Sequence, residues 1–588
     1  MIRTTTATLS LTLLASALMA VSAQAATPPA LRTNLFGEGN SDAGFAGGAT
    51  TNGGDSFVQT IPFNAPPGIV AQIATGSEAG KEADLFMVAT LNNNWYMRTA
   101  SGWRQWNTRV ADLQPFTTKV LDTTETIAIP DLEAQAGVSL DGATLRLHVG
   151  FMTDTSPLVY SSAIEFSLAS QPSGGSGKCP TGSESLPPLA GGSKRLCVIS
   201  GTYTSDLHLS AEFEYIISGA VFIGEDNRNS ATLTMDAGVK TYGESGLDFI
   251  VINRGSKISV NGTRDNPVIM TSANDAEADA TTRGQWGGLI INGNAPVNGC
   301  TAGTSVCELQ GEGSTGLYGG NDPHDSSGNL NYLQVRYAGF NITPDNELNG
   351  IALQGVGDGT IIDYVQVHNN SDDGIEFFGG TVNAKHLVLS GNEDDSLDWT
   401  FGWQGKVQHV VIVTGPDRAN NGFEADNNAT NRDASPRSQP KIANVTLIGN
   451  ANATSGLLLR EGTGANLYNF VVTGFGSDCI DIDHAATFIA AGGSVNTLNG
   501  TLTMTNSRVD CAVNFREEAG DNFTVQAWFE AQDGNTAGAT DMDSYINSAL
   551  VNGLPAATLT DPFFDQTDYI GAVKDEASDW TQGWTFRP

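Results

Sequence analysis

The sequence predicts an all-β chain: an N-terminal β-sandwich followed by a right-handed parallel β-helix (a solenoid) with a C-terminal cap. The first observation is an internal repeat between residues 349 and 483. Its central apolar residues Ile351, Ile375, Leu397, Phe423, Leu457 and Ile480 are separated by 24, 22, 26, 34 and 23 positions. A period in the low twenties, lengthened where loops intrude, is the signature of stacked coils. The second observation is a companion ladder of β-branched runs. It comprises Tyr332-Leu333-Gln334-Val335, Tyr364-Val365-Gln366-Val367, His386-Leu387-Val388-Leu389, Val410-Val411-Ile412-Val413, Asn444-Val445-Thr446-Leu447 and Phe470-Val471-Val472-Thr473. Glycine or asparagine follows these runs, as at Gly391, Gly415, Gly449 and Gly474. Each coil therefore has at least two short strands divided by turns. The third observation is that helical periodicity is nearly missing.

The elements follow in order. Residues 1–25 read as an export signal, with Arg3, an apolar and small-residue core from Leu9 to Val21, and Ala23-Gln24-Ala25 before Ala26 as the cleavage site. That core is too short to span a membrane, and no later stretch reaches the ~18 apolar residues a span needs. No cysteine follows the signal to carry a lipid. Residues 26–170 show short alternating runs such as Asp84-Leu85-Phe86-Met87-Val88-Ala89 and Leu145-Arg146-Leu147-His148-Val149, broken by Gly, Asn and Asp, as in a β-sandwich. Trp95, Trp103 and Trp106 lie close together there; core packing is the expected role and a sugar-stacking platform the alternative. Residues 171–178 form a Gly/Ser-rich linker. Residues 179–520 are the β-helix, with the Cys300–Cys307 loop and the run from Gly311 to Gly320 expected to stand out from it. Residues 521–588 are expected to cover the open last rung, with a short helix over Phe523 to Gln532 and surface attachment as the alternative role.

Charge and cysteines bound the function. A formal charge of −35 disfavours nucleic acid and anionic membranes and favours cations. Ca²⁺ is the cation that carboxylate and carbonyl oxygens suit best. Six cysteines remain after the signal, without any zinc spacing. An oxidising exterior favours disulfides, and nearest-neighbour pairing gives Cys179–Cys197, Cys300–Cys307 and Cys479–Cys511.

From about residue 200 onward the chain resembles exported bacterial proteins of the right-handed parallel β-helix, pectin-lyase-like superfamily. The motifs that carry this are Trp286-Gly287-Gly288-Leu289-Ile290-Ile291-Asn292-Gly293, Asp372-Asp373-Gly374-Ile375-Glu376-Phe377-Phe378-Gly379-Gly380, Asp395-Ser396-Leu397-Asp398-Trp399-Thr400 and the closing Gly583-Trp584-Thr585. The resemblance covers about two thirds of the chain. It implies a secreted or cell-surface protein in a subgroup without defined activity, inside a superfamily of polysaccharide lyases, glycoside hydrolases, adhesins and passive surface proteins. Ser477-Asp478-Cys479-Ile480 is similar to the Asp-Asp-Cys segment of polygalacturonase-like hydrolases, but Ser477 replaces the first aspartate, and no Gly-His-Gly or Arg-Ile-Lys segment accompanies it.

Aligning the coils locates the chemistry. One position after the central apolar residue stand Ala352, Glu376, Asp398, Glu424, Leu458 and Asp481; three after it, Gln354, Phe378, Thr400, Asp426, Arg460 and Asp483; two before it, Asn349, Asp373, Asp395, Asn421, Ser455 and Asp478. Side chains alternate along a strand and coils lie about 4.8 Å apart, so Glu376, Asp398 and Glu424 are expected to stack as like charges. Three arrangements relieve that repulsion, besides simple hydration of a solvated face. Ca²⁺ can bridge Asp373, Glu376, Asp395, Asp398, Glu424 and Asp426. One acid can hold a proton beside an ionised partner, with Asp395, Asp398, Glu424 and Asp426 as catalytic candidates and Arg460 assisting. Arg460 can also bridge its neighbours structurally. His386 and His409, 23 apart, are expected to stack as surface histidines, with a metal pair as the alternative.

The function expected from these features is binding without catalysis. The ligand would be an extracellular polysaccharide or surface protein, with Ca²⁺ assisting. A polysaccharide lyase or glycoside hydrolase using the acidic ladder is the alternative, and a structural surface coat the third reading.

Overall fold

The computed structural model describes residues 27–36, 41–54, 56–61, 68–91, 94–129, 144–154, 156–168, 178–187, 194–301, 303–343, 346–498 and 500–586. The expected export signal and nearly all of the expected linker lie outside these residues.

The N-terminal part is built from antiparallel strands that alternate apolar and polar residues, so each sheet has one face to bury. One sheet joins Ala30–Leu31, Gly44–Thr50, Gly68–Ala74 and Thr124–Ile129. The other is centred on Glu82–Leu91 paired with Thr144–Thr153, with Asn94–Thr99 and Gly102–Gln105 continuing one edge. Between them lie Ile61, Ile69, Ile73, Leu85, Met87, Leu147, Val149, Phe151 and Phe166, all buried. Trp103 packs against this core, whereas Trp95 and Trp106 stand on the outer face of the second sheet. The expectation of core packing thus fails for two of the three tryptophans. Trp95 faces the same side as its neighbour Thr90, opposite to the core-facing Met87 and Ala89.

From Leu196 onward the strands of the main sheet pair in parallel with the strand one coil away. Among the described residues, with the antiparallel strand Glu184–Leu186 at its start, they form one continuous ladder of twenty-five strands. Each coil between residues 328 and 482 has a short strand, such as Ile375–Phe378, and a long one, such as Asn383–Ser390. The long strands bend at one residue with a left-handed backbone: Tyr332, Tyr364, His386, His409, Asn444 and Asn469, with φ between 50° and 63°. Ladder pairing skips this residue on both sides, as between Asp363↔Lys385 and Val365↔Leu387. Asparagine tolerates this conformation better than tyrosine or histidine. The rings are compensated by each other: Tyr332–Tyr364, Tyr364–His386 and His386–His409 stack at 4.3, 4.3 and 4.9 Å.

The inward residues make a continuous apolar column. Ile351, Ile375, Leu397, Phe423, Leu457 and Ile480 are at most 1% exposed, and Leu353, Phe377, Trp399, Ala425, Leu459 and Ile482 form a second file beside them. Burying one such side chain contributes roughly 1.5–3 kcal/mol. The column closes at the C-terminal end on Trp528 and Phe529 of the helix Val525–Glu530.

The rest of the C-terminal segment does more than cap. It runs back along the outside of the coils as a strap. Ala557 N donates to Asn469 Oδ1, Lys441 and Lys406 reach Asp561, and Lys385 reaches Asp565 at 2.7 Å. Further on, Gln366 exchanges two hydrogen bonds with the Phe586 backbone, and Arg264 donates to the Gln582 carbonyl. Trp580 and Trp584 set their edges against the stacked rings.

The six cysteines pair as Cys179–Cys197, Cys300–Cys307 and Cys479–Cys511. The last joins neighbouring coils. Residues 303–306 of the Cys300–Cys307 loop are exposed, but the run from Gly311 to Gly320 does not stand out from the solenoid as expected. From Cys307 onward the chain lies against the outer face, where Cys307, Leu309 and Tyr318 join an apolar cluster with Ile290, Ala352 and Phe378.

Candidate functional site

Register places the repeat's acids where the alignment requires. Ala352, Glu376, Asp398, Glu424, Leu458 and Asp481 are successive ladder partners on the outward face of the short strands. Asp426 and Arg460 lie two positions beyond Glu424 and Leu458, on the same face.

The second file of acids has a backbone role that spacing alone did not reveal. Asp373 Oδ1 accepts from the Asp395 N–H at 3.0 Å, Asp395 Oδ1 accepts from the Asn421 N–H at 2.7 Å, and Asn421 Oδ1 accepts from the Ser455 N–H at 3.2 Å. Each side chain thus brackets the turn of the next coil. This satisfies buried donors that a tight turn would otherwise orphan. The signal was the recurrence of Asn, Asp or Ser two positions before the apolar residue, residue types that bond nearby backbone.

The face is buried, not a hydrated surface. Asp395 is 3% exposed and Asp373 6%, and Glu376 and Asp426 are each 8%. Asp398 and Glu424 are half-buried. Two groups of three carboxylates can each bring their oxygens within 4.8 Å: Asp373, Glu376 and Asp398, and Asp395, Asp398 and Glu424. Asp398 belongs to both. A third group, Glu347, Asp372 and Asp394, was not read from the sequence. Glu347 comes from the hairpin Phe340–Thr343/Asn346–Leu348, which has no counterpart in the repeat.

Few groups oppose these charges. Arg460 bridges Glu424 and Asp426, with Nε 2.9 Å from Asp426 Oδ1, and among the described residues it is the one cation ion-paired with the acids from Asp373 to Asp426. Asn349 donates to Glu376 Oε2 at 2.7 Å. Asn349 Oδ1 and Asp398 Oδ1 are shut off from solvent without a hydrogen-bond partner. Burial first, and neighbouring carboxylates second, hold Asp373, Glu376, Asp395 and Asp398 well above the usual carboxylate range. Burial raises Glu424 to about 7 against the opposing pull of Arg460. Asp426 is raised by burial and pulled back by the same guanidinium. Further along, Asp478 and Asp481 lie 3.8 and 3.5 Å from Arg516, and burial raises Asp481 to about 7.

The arrangement can do one of two things: retain protons or accept cations. Its donors are all oxygens, and Asn349 Oδ1 and Asp398 Oδ1 are among the buried ones that lack partners. That donor set fits a hard cation such as Ca²⁺, which takes 6–8 oxygens, better than zinc.

His386 and His409 stack as expected but are not surface residues. His409 is buried, Trp580 covers both rings, and their partners are Asp363 at 2.7 Å and Asp565 at 3.6 Å. They belong to the strap interface. No helix of the described residues is long and apolar enough to cross a membrane.

Comparison with known proteins adds the family. No curated protein matches the sequence. Among solved structures, the catalytic domain of a GH87 alpha-1,3-glucanase in complex with tetrasaccharides pairs with 88% of this chain and 99% of its own, at 9% identity and a TM-score of 0.19. A likeness at that score carries no argument. The family model described as a pectate-lyase like beta helix domain matches residues 201–585, which span the coils, the acidic ladder and the strap. On that match, and on the parallel coils it covers, the chain belongs to the pectate-lyase-like β-helix family.

Proposed function

We propose that this protein is an exported β-helix that binds an extracellular ligand, a polysaccharide or surface protein, without catalysis, and that Ca²⁺ held in the acidic ladder rigidifies it. The observation that carries this reading is two buried, unpartnered oxygens, Asn349 Oδ1 and Asp398 Oδ1, among the carboxylates from Asp373 to Asp426, which Arg460 alone opposes among the described residues. A cation would satisfy both deficits at once. Asp373, Glu376 and Asp398 would hold one ion, and Asp395, Asp398 and Glu424 a second. Burial also supports binding over turnover, because a reacting glycosidic bond must reach its acids. The disulfides support an oxidising exterior.

The test is a Ca²⁺ titration of the full chain followed by melting. Binding to the native state raises the melting temperature, and Asp398→Asn should remove most of the rise. No shift at millimolar Ca²⁺ would sink the cation reading. Separately, incubation with polysaccharides should release neither reducing ends nor unsaturated products.

One observation favours a hydrolytic or lyase reading instead. Glu424, raised to about 7 beside Arg460 and Asp426, is half-buried and keeps some access to solvent. A protonated carboxyl next to an ionised one is what general acid catalysis of glycoside cleavage needs. Release of products that Glu424→Gln abolishes would establish that reading.

A further inference from the structure

We infer that the outer face of the N-terminal sandwich is a binding site for an anionic polysaccharide, a chain of uronate-type sugars. This rests on the reading of the protein as a binder of extracellular polymers. It places the contact outside the β-helix altogether.

Four rings form a row across this sheet. Trp106 and Trp95 are cross-strand neighbours with centroids 6.0 Å apart; Trp95 and His148 follow at 6.1 Å, and His148 and Tyr160 at 6.3 Å. All four are half-exposed and none belongs to the sandwich core. Their register explains why. Trp95 pairs with Thr90 and His148 with Val88, and both partners point away from the core file Leu85, Met87 and Ala89. The rings are also held in place. Trp106 Nε1 donates to the Arg109 carbonyl at 3.0 Å, and His148 Nδ1 donates to the Ser161 carbonyl at 2.9 Å. Gly150 makes room for Tyr160, since a Cβ there would lie 2.9 Å from the Tyr160 Cβ. A fixed row of half-exposed rings costs little entropy on binding and offers flat apolar surface to the C–H faces of successive sugars.

Charge selects the anionic class. Residues 85–111 carry Arg98, Arg104 and Arg109 and no acid, in a chain of formal charge −35. Arg104 lies on the ring face as the partner of Met97, Arg109 follows Trp106, and both are exposed. Neither has an ion pair among the described residues; Arg104 reaches only Ser101 Oγ, at 3.3 Å. Arg146 adjoins Thr90 on the same face and pairs with Glu165. Two acids bound this window: Asp112, which accepts from Asn107, and Asp84, which accepts from Thr118 and shares the ring face at its Tyr160 end, away from the tryptophans. Exposed charges act over about a Debye length, ~8 Å at physiological salt, so a sugar carboxylate on the tryptophans is governed by Arg104 and Arg109 beside them; Arg98 stands on the core side against Trp103. Guanidinium also matches carboxylate geometry.

The experiment is affinity electrophoresis of the full chain in gels containing polygalacturonate, alginate or neutral dextran. Polyuronate should retard the wild type and dextran should not. Trp95→Ala with Trp106→Ala should weaken retardation about tenfold. Because those rings touch other rings, Arg104→Gln with Arg109→Gln serves as a second variant on exposed positions, and it should weaken polyuronate retardation with an unchanged melting temperature. Retardation that survives both variants would overturn the site while leaving the polymer-binding reading intact. No retardation of the wild type by any polymer would overturn both. Dimerisation lost in the tryptophan variant, without polymer binding, would assign the face to a second copy of the chain and overturn the proposal.

Discussion

Glu376, Asp398 and Glu424, and Tyr364, His386 and His409, climb the same three coils of one solenoid at the same strand spacing. A β-helix repeats its register, so it stacks whatever each position carries. For rings, stacking is attractive, and the strap finishes the job with Trp580, Trp584 and Asp565. For carboxylates, stacking is repulsive, and the loop from Leu309 to Tyr318 that lies beside them brings another acid, Glu312, raised to about 7 by burial and Glu347. One ladder closes on itself, while the other remains short of positive charge. The fold supplies the same geometry twice, and side-chain chemistry decides which copy is inert.

The comparison can be broken most forcefully on the strap side. Trp584, 1% exposed, packs against Tyr332 and Tyr364. Trp584→Ala should cost about 3–5 kcal/mol by the usual large-to-small penalty. Urea unfolding measures the loss, and limited proteolysis should cut the strap first. An unchanged midpoint would mean that the strap adds nothing to the coils.

Asp565→Ala comes next. It leaves Lys385, 8% exposed, without its 2.7 Å partner. Breaking a buried pair on one side costs about 3 kcal/mol. Lys385→Met together with Asp565→Leu should recover most of it, because removing both charges leaves none unpaired.

Ca²⁺ should act on the acidic ladder alone. At about a hundred times its dissociation constant it adds ~2.7 kcal/mol, visible as a higher melting temperature. Asp398→Asn should lose that gain yet melt no lower than wild type in chelator, since burial and the neighbouring carboxylates already disfavour the charged form of Asp398. A variant that melts lower in chelator would show that Asp398 is satisfied in some other way.

The two ladders should also respond to pH with opposite sign. Glu424 is raised from 4.5 to about 7, so the folded state holds its proton more tightly than the unfolded state. Its contribution is present in full below pH ~4.5 and is lost as pH rises through about 7. His409 is lowered by burial from 6.5 to about 4, so the folded state resists its charging. That contribution is present above pH ~6.5 and is lost as pH falls toward 4. Melting in chelator between pH 4 and 8 should therefore show a high-pH decline that Glu424→Gln flattens and a low-pH decline that His409→Asn flattens. If one variant flattened both limbs, the ladders would not be independent.

The smallest effect provides the control. Arg418 pairs with Glu393 on the surface, its side chain 72% exposed. Arg418→Ala should change stability by less than about 1 kcal/mol. A larger loss would mean that the outer turns carry more load than either ladder suggests.

Much of this was legible in the sequence because a solenoid writes its tertiary contacts as a period. Ile351, Ile375, Leu397 and Phe423 declare the column, and their neighbours Glu376, Asp398 and Glu424 are stacked by arithmetic. The disulfides were legible too, since nearest neighbours in this chain are neighbours in space. What carries no period could not be read. Asp373 and Asp395 looked like members of a charge cluster, but each also brackets the next coil's backbone, which shows only once the turn geometry is known. His409 looked like a surface residue because nothing local announces that Asp565, more than 150 residues later, will cover it.

The sequence by itself determined the order of parts, the coil, its core and the columns of side chains, because each follows from local alternation and a fixed 4.8 Å step. Only the tertiary structure decided which columns are shut away from water. That depends on where irregular segments dock: the loop from Leu309 to Tyr318, the hairpin at Phe340–Thr343, and the strap from Thr540 to Phe586. Docking of this kind is set by long-range packing of non-repeating side chains, and burial in turn sets whether a carboxylate is an ordinary surface charge or a group that must find a proton or a cation.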